Sequence, residues 1–258
     1  MEMAFRIEQR AGALLIALAV APTIFAQQTF RYEAYRSHRR LLHIRRTEDV
    51  GSLEITQSSI SFVEVQQHKN HPKTWHWSYQ DIHQLKMGTA SLDVLTYQGN
   101  KWKAGAEREY EFDLVSDKTF GDAYLFLKSR LDQRFVAEIA DAVTDVLWEV
   151  PVKHLLRFGG NEGVLQVSAN EIVYNSPTKN ASRTWRYQDI ENISASGPFQ
   201  LTVTTFERSK LHYGDLKWFN FELKSPLAEA RYNGLWLRVN QSKGLKLLDA
   251  YRVPDGKQ

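Results

Sequence analysis

The hexapeptide Trp185-Arg186-Tyr187-Gln188-Asp189-Ile190 occurs once before in the chain, as Trp77-Ser78-Tyr79-Gln80-Asp81-Ile82. Five of the six residues are identical. A Trp and a Tyr two positions apart point to the same face of a β-strand, because side chains alternate across a strand. Asp favours a turn, and the Ile that follows can begin a new apolar strand. Each copy therefore predicts a strand, a tight corner and a second strand.

Further matches extend this repeat in both directions, at an offset of about 110 residues. Alternating apolar and polar residues in these segments predict short, half-buried strands. The matches keep the same order in both copies, which predicts a tandem duplication with about seven strands in each unit. The matched segments are Leu41–Ile44 with Leu155–Phe158, Gly51–Ile55 with Gly163–Val167, Ile60 and Phe62 with Ile172 and Tyr174, Leu92, Val94 and Tyr97 with Leu201, Val203 and Phe206, and Tyr110, Phe112 and Leu114 with Phe219, Phe221 and Leu223.

The apolar spacing changes to three and four residues after the last strand of each unit, which predicts a terminal helix. Asp117 or Thr119 is expected to cap the first helix, and Ser225, with Pro226 at the first helical position, the second. The predicted buried faces are Phe120, Tyr124, Leu127 and Leu131 in the first unit and Ala228, Tyr232, Leu235 and Val239 in the second.

The segment 135–150 joins the two units. Its apolar residues keep the helical spacing from Val136 and Ile139 through to Leu147, and Pro151 follows. We therefore expect a packed helical connector, formed as an extension of the first terminal helix and ended before the proline.

The composition is that of a globular protein. The chain has 258 residues, of which 43% are apolar and 24% are charged. It has no Cys, which excludes disulfide scaffolds, thiol catalysis and Cys-based metal sites. The formal net charge of +3 is small, and it argues against nucleic acid as a partner.

Residues 1–26 have the pattern of a secretory signal peptide. Arg6 and Arg10 precede an apolar run, and small Ala26 stands at the expected cleavage point. The run is shorter than the roughly 20 residues that a spanning helix needs. We therefore expect an exported protein, periplasmic or extracellular. The alternative is that the segment remains as an uncleaved N-terminal anchor.

The order of seven strands, the Trp-x-Tyr-Gln-Asp-Ile corner and the terminal helix resemble the pleckstrin-homology-like (PH-like) superfold, particularly its GRAM and bacterial variants. The resemblance covers residues 37–134 and 151–250. The chain is also similar to exported bacterial proteins of unknown function that carry such units in tandem. The resemblance implies a mainly β (α+β) fold with two tandem PH-like barrels, each of about seven antiparallel strands capped by a C-terminal helix. It brings no catalytic residue with it.

A single all-β barrel that spans the whole chain is the rival fold. The helical pattern from Phe120 to Leu131 counts against it, because this pattern lies in mid-chain and divides the strands into two sets.

A basic cluster follows the leader. In the families that the chain resembles, basic residues at the first strands and their connection often hold phosphates, and the arginine fork suits that role. We expect Arg39, Arg40, Arg45 and Arg46 to be binding residues. The alternative is a solvated basic face, because the second unit does not repeat the cluster. Its six arginines are Arg31, Arg36, Arg39, Arg40, Arg45 and Arg46.

Other candidate sites are weak. His68, His71 and His76 match no established zinc spacing, so we expect a polar loop and no metal site. Glu107 and Glu109 flank Arg108 and are expected to be solvated. No nucleophile motif or phosphate-binding glycine loop is present, so we expect no catalytic residue and no cofactor.

These observations favour a non-enzymatic, exported binding or scaffold protein whose partner is a protein or peptide met at a sheet edge or loop face. The alternative is a peripheral membrane module that binds anionic lipid through segment 31–46. Each basic residue near an anionic surface would contribute on the order of 1 kcal/mol to such binding.

Overall fold

The computed structural model describes residues 28–38, 47–65, 72–99, 107–115, 117–209 and 215–244. The first half contains seven strands and a helix: β1 Phe30–His38, β2 Thr47–Ile55, β3 Ser59–Glu64, β4 Thr74–Ser78, β5 Ile82–Met87, β6 Ser91–Gly99, β7 Glu107–Leu114 and α1 Gly121–Arg130. A short strand, β8 Phe135–Ala137, follows it. The second half contains β9 Val146–Leu155, β10 Gly160–Ser168, β11 Glu171–Asn175, β12 Arg183–Arg186, β13 Ile190–Gly197, β14 Gln200–Arg208, β15 Leu216–Leu223 and α2 Glu229–Ser242.

In the part of the chain that the structure describes, fifteen strands form one mainly antiparallel sheet. Their order is β13-β14-β15-β9-β10-β11-β12-β8-β5-β6-β7-β1-β2-β3-β4. The first seven and the last seven strands in this order have the same internal arrangement. β8 lies between them, antiparallel to β12 and parallel to β5. The prediction of a mainly β fold is confirmed.

Each half packs its own hydrophobic cluster, and several aromatic contacts of the first half have counterparts in the second. The ring centroids of Trp77 and Tyr110 are 4.6 Å apart, and those of Trp185 and Phe219 are 4.8 Å apart. Phe62 and Phe112 are separated by 5.0 Å, and their counterparts Tyr174 and Phe221 by 5.1 Å. Because such rings bury large areas, these matched contacts show that the two cores are packed around the same aromatic positions.

The first strand begins earlier than the sequence suggested. Residues 30–38 form strand β1, which pairs with β2 and β7. The apolar alternation of this strand is hard to see in the sequence, because its inward positions are Tyr32, Ala34 and a charged residue, the buried Arg36. Leu41–Ile44, expected to begin the first strand, lie outside the described residues.

The predicted helical connector is wrong. α1 ends at Arg130, and Asp132 then turns the chain, its carboxylate accepting hydrogen bonds from the backbone and side chain of Arg134. Phe135–Ala137 adds to the sheet, and 138–145 is irregular. The unpaired edges of β5 and β12 offer backbone hydrogen bonds that a continued helix could not use.

The helix faces are predicted well, but the caps are not. Phe120, Tyr124 and Leu127 are buried under the first half, as are Leu235 and Val239 under the second. Leu131 and Tyr232 are half-buried, and the prediction that Ala228 is buried is wrong, because it precedes α2 and is exposed. The residues at the N-caps are Phe120 and Ala228, and neither makes a side-chain capping bond. Tertiary packing of the apolar face, more than local capping, therefore sets where these helices begin.

Within the described ranges, no helix is both long enough and apolar enough to span a membrane. The predicted signal peptide at 1–26 lies outside those ranges.

Candidate functional site

The repeated hexapeptide forms the same corner in both halves. Trp77 and Trp185 are buried in the two cores. The Tyr79 hydroxyl donates to the carbonyl of Thr56 at 2.7 Å, and the Tyr187 hydroxyl donates to the carbonyl of Ser168 at 2.5 Å. Burial raises the pKa of both phenols to about 12. These rings anchor the fold and are not available to stack on a ligand.

The aspartate of the motif closes the corner. The Asp81 carboxylate accepts hydrogen bonds from the backbone N–H of Ser78 at 3.3 Å and from its hydroxyl at 2.7 Å. The Asp189 carboxylate accepts from the backbone N–H of Arg186 at 3.0 Å. The shared Trp, Tyr and Asp of the repeat therefore have a structural role in both copies.

The one residue that differs between the two hexapeptides joins the halves. The Arg186 guanidinium pairs with Asp189 through Nε at 2.9 Å and Nη2 at 2.8 Å. It also donates to three backbone carbonyls at the end of α1, those of Lys128 at 2.6 Å, Leu131 at 2.8 Å and Asp132 at 2.9 Å. A cation suits the negative end of a helix, so Arg186 ties α1 of the first half to the corner of the second.

A cluster of five charged side chains, three of them buried and two half-buried, lies beside β8; we call it the junction cluster. Its members are Lys86, Glu138, Arg183, Glu207 and Lys217. Glu207 is only 2% exposed, and its carboxylate forms ion pairs with Lys217 Nζ at 2.7 Å and Lys86 Nζ at 3.1 Å. Arg183 Nη2 donates to Glu138 at 2.6 Å. The cluster crosses from β5 of the first half to β12, β14 and β15 of the second.

The balance of charge in the junction cluster keeps Glu207 ionised. Burial acts to raise the pKa of Glu207, but Lys217, Lys86 and Arg183 outweigh it and lower that pKa to about 2. Burial, with Arg183 and Lys86 nearby, lowers the pKa of Lys217 in spite of the attraction of Glu207. Three cations share two carboxylates here, so the loss of either carboxylate would leave buried positive charge unbalanced.

A second set of ion pairs connects α1 to the start of the second half. Lys128 contacts the carboxylate of Asp141 and donates to Glu171 at 2.6 Å. Burial acts to lower the pKa of Lys128, but the two carboxylates raise it overall. The Tyr124 hydroxyl donates to Asp141 at 2.9 Å. The halves are thus joined on both sides of β8.

A polar cleft of about 290 Å³ opens at the junction. His83 Nδ1 lies 2.7 Å from Glu107, which is 3.7 Å from Arg208, and Tyr97 stacks on the His83 ring at 4.6 Å. The Gln84 amide donates to the Phe206 carbonyl at 3.3 Å and accepts from the Arg208 N–H at 3.2 Å. These contacts pair the charged groups with one another, and those of Gln84 join β5 of the first half to β14 of the second.

β8 is held by backbone hydrogen bonds to the edge of the first half. Leu85 N–H donates to the Arg134 carbonyl at 2.9 Å, and Glu138 N–H donates to the Met87 carbonyl at 2.8 Å. On the other side, Ala137 pairs with Thr184 of β12. The strands that correspond to β5 and β12 in the opposite halves are β13 and β4, and these are the outermost strands of the sheet.

The structure does not test the prediction that four arginines bind phosphate. Arg39, Arg40, Arg45 and Arg46 lie outside the described residues. Arg31 pairs with Glu54 at 3.2 Å on the surface. Arg36 is buried, donates to Asp49 at 2.8 Å, and lies 3.8 Å above the Trp75 ring. These two arginines therefore have internal partners.

The remaining candidates are also placed. His76 is exposed on β4, whereas His68 and His71 lie outside the described residues. Glu109 is exposed, but the expectation that Glu107 is solvated is wrong, because this carboxylate is half-buried against His83 and Arg208. Across the described ranges, no three His, Asp or Glu residues form a group that could hold a metal ion.

Sequence reasoning missed Arg186 and Glu207. Arg186 is the single residue that differs between the two hexapeptides. Since the first copy forms the same corner with Ser78, the corner does not need an arginine, and this difference could have indicated another role for Arg186. Glu207 alternates with Leu201, Val203 and Thr205 along β14, so it occupies an inward position among buried residues. A charged residue in that register indicates a buried partner of opposite charge.

His154 gives a testable pH dependence. Its ring lies among Tyr174, Phe219 and Phe221, at 5.8, 5.3 and 5.3 Å. Burial, followed by the charges of Lys217 and Arg183, lowers its pKa from 6.5 to about 4. Between about pH 6.5 and 4, His154 therefore binds a proton in the unfolded chain but not in the folded protein. The free energy of unfolding falls as the pH is lowered through this range.

We expect His154→Phe to lose about 2–3 kcal/mol less unfolding free energy than the wild type over this pH range. The measurement is urea unfolding at pH 7.5, 5.5 and 4.5 for the wild type and the variant. Parallel pH profiles for the two proteins would contradict the assignment.

The sequence matches no known protein family and no curated protein. Among solved structures, it is similar to the C-terminal domain of an unknown protein from Leishmania infantum, with 16% identity, a TM-score of 0.27, and coverage of 36% of this chain and 83% of that one. It is also similar to the Spt16D Pob3N heterodimer, with 14% identity, a TM-score of 0.28, and coverage of 70% of this chain and 83% of that chain. Similarity at this level carries no argument about fold or function.

Proposed function

We propose that the protein is a non-enzymatic, exported binding or scaffold protein, built from two tandem PH-like domains, that engages a protein or peptide partner at a sheet edge. Three features support the two-domain part of the proposal. The strand order is the same in both halves, each half has its own hydrophobic cluster, and each ends in a helix packed on that cluster.

The observation that carries the binding proposal is the position of β8. This segment is extended and belongs to neither set of seven strands. It is held by backbone hydrogen bonds at the edges of β5 and β12 and by the burial of its side chains. Recognition of an extended segment by an exposed sheet edge is a general mode of peptide binding, in which backbone bonds give affinity and side-chain pockets give specificity. The fold therefore uses within the chain the interaction that we propose for a partner.

The junction supports a scaffold role. Arg186, the junction cluster and Lys128 hold the two halves through buried or half-buried ion pairs on both sides of β8. Such pairs favour one arrangement over others, because a displaced half would leave buried charges without partners. Two binding units held in a fixed arrangement can position a partner more precisely than two units on a flexible linker.

The test is affinity capture with the purified mature chain, followed by titration of the recovered protein or peptide. We expect saturable binding without chemical change in either component. Failure to recover any partner, together with turnover of a substrate, would contradict the proposal. Sedimentation with anionic vesicles at low salt, lost at high salt, would instead support the lipid-binding alternative.

A further inference from the structure

We infer that the outer edge of β4 is the edge that accepts the partner, as an added antiparallel strand centred on His76. This inference rests on the proposed function and makes it specific: the occupant is an extended peptide segment with alternating apolar side chains.

The backbone of β4 leaves hydrogen-bonding groups facing outward. On its inner side, the Lys73 carbonyl accepts from Glu64 N–H at 3.0 Å and Tyr79 N–H donates to the Ser58 carbonyl at 3.2 Å. In an antiparallel pair, bonded and non-bonded residues alternate, so Thr74, His76 and Ser78 direct their backbone groups away from β3. The outward N–H of Ser78 is already bonded to Asp81. An incoming strand would therefore bond chiefly to Thr74 and His76.

The second half shows that this edge can hold a strand. His76 corresponds to Thr184, one residue before the matched tryptophan in each copy. Thr184 pairs with Ala137 of β8, and its hydroxyl donates to the Ile139 carbonyl at 2.7 Å and accepts from Asp141 N–H at 3.0 Å. The edge of β12 is thus occupied in the way that we infer for β4.

The opposite end of the sheet is less available. β13 corresponds to β5, but α2, which is 14 residues long against 10 for α1, contacts β13. The Tyr232 hydroxyl donates to the Ile193 carbonyl at 3.4 Å, and Lys243 contacts the Glu191 carbonyl. In the described part of the chain, β4 is therefore the outer strand that no helix covers in this way.

The residues around β4 favour an apolar partner over an acidic one. In the second half, Arg183 binds Glu138, the residue that follows β8. The corresponding residue on β4 is Trp75, which is half-buried. The Arg36 guanidinium lies 3.8 Å above its ring. Val63, opposite Thr74 on β3, and Val65 are 38% and 64% exposed. Trp75 therefore takes the place of the cation that recognises the acidic residue after β8, and the two valines add exposed apolar surface on the β3 side.

The experiment uses two labelled synthetic peptides of residues 133–141, the segment that contains β8, one with the native sequence and one with Glu138→Leu. Binding to the full-length protein is measured by fluorescence anisotropy. We expect the Glu138→Leu peptide to bind several-fold more tightly than the native peptide, because Trp75 stands where Arg183 would meet Glu138.

The protein variants are His76→Pro and the matched control His76→Ala. Proline removes the outward N–H, but position 76 gives no ladder bond to β3, so an edge strand can accept it. We expect His76→Pro to weaken binding at least tenfold, and His76→Ala, which keeps the N–H, to bind within about twofold of the wild type. Circular dichroism checks that both variants fold. If His76→Pro does not fold, N-methylation of alternate peptide amides provides the same contrast on the ligand.

Several outcomes would overturn the inference. Neither peptide binding, equal binding to His76→Pro and wild type, or equal sensitivity to N-methylation at every amide would each exclude β4 as the edge. A wild-type dimer that becomes monomeric in His76→Pro, seen by sedimentation velocity, would assign the edge to a second copy of the chain. A partner captured equally well by His76→Pro would leave the proposed function standing and overturn only the assignment to β4.

Discussion

Glu207→Ala is expected to lower the free energy of unfolding by about 3–5 kcal/mol, the range found when one partner of a buried ion pair is removed. The carboxylate is buried between Lys217 at 2.7 Å and Lys86 at 3.1 Å, with Arg183 at 3.9 Å. Alanine leaves these three cations with Glu138 alone. Chemical unfolding at pH 7 measures the loss.

The matched control is Glu222→Ala, on the neighbouring strand β15. Glu222 is exposed, so its removal should change the free energy of unfolding by no more than about 0.5 kcal/mol. Similar effects for the two variants would contradict the assignment of Glu207 as the centre of a buried cluster.

The pKa of Glu207 also predicts where acid weakens the fold. Its folded pKa of about 2 is below the ordinary value of 4.5, so its contribution is fully present above about pH 5. That contribution is lost progressively as the pH falls from about 4.5 towards 2, because the unfolded chain is protonated first. The window lies below that of His154, so the two groups can be separated by pH.

Arg186→Ala is expected to cost about 2–4 kcal/mol. The substitution removes three hydrogen bonds to the carbonyls that end α1, and it leaves the Asp189 carboxylate without its guanidinium. Burial already raises the pKa of Asp189 in spite of Arg186, so the lone carboxylate would be poorly stabilised. Urea unfolding monitored by tryptophan fluorescence provides the measurement.

Ser78→Ala, at the same position of the first hexapeptide, is the control. It removes only the hydroxyl bond to Asp81 and should cost about 1 kcal/mol or less. Arg186→Lys should recover little, since a single ammonium cannot reach the carboxylate and three carbonyls together. Equal losses from Arg186→Ala and Ser78→Ala would show that the arginine serves the corner alone and does not join the halves.

Most of the elements that repeat could be predicted from the sequence. Alternation in β3, β6 and β7 and the helical spacing from Phe120 to Leu127 depend on burial of local side chains, which leaves a periodic pattern. The recurrence of Trp77 and Trp185 added evidence that no single window contains. Both signals come from residues whose role is the same in each half.

The elements that differ between the halves could not be predicted in the same way. β8 is a strand because the edges of β5 and β12 are available to it, and three residues carry no pattern that distinguishes a strand from the end of a helix. β1 was missed although it corresponds to β9 of the second half. Arg36 conceals its pattern, and the buried position of Arg36 depends on Asp49 and Trp75 from other strands. The junction cluster is likewise built from five separate segments of the chain. These features are tertiary, and local propensity carries little information about them.

Amide hydrogen exchange in β8 tests the account most directly, because both the joining of the halves and the proposed mode of binding depend on this strand. In the wild type, we expect the Leu85 and Glu138 amides, which bond across the β5–β8 pair, to exchange as slowly as core amides of β6 and β14. In Glu207→Ala, they should exchange faster while β6 remains protected. Exchange of the Glu138 amide in the wild type at the rate of an unstructured chain would contradict the account, since β8 would then not be a strand that the sheet holds.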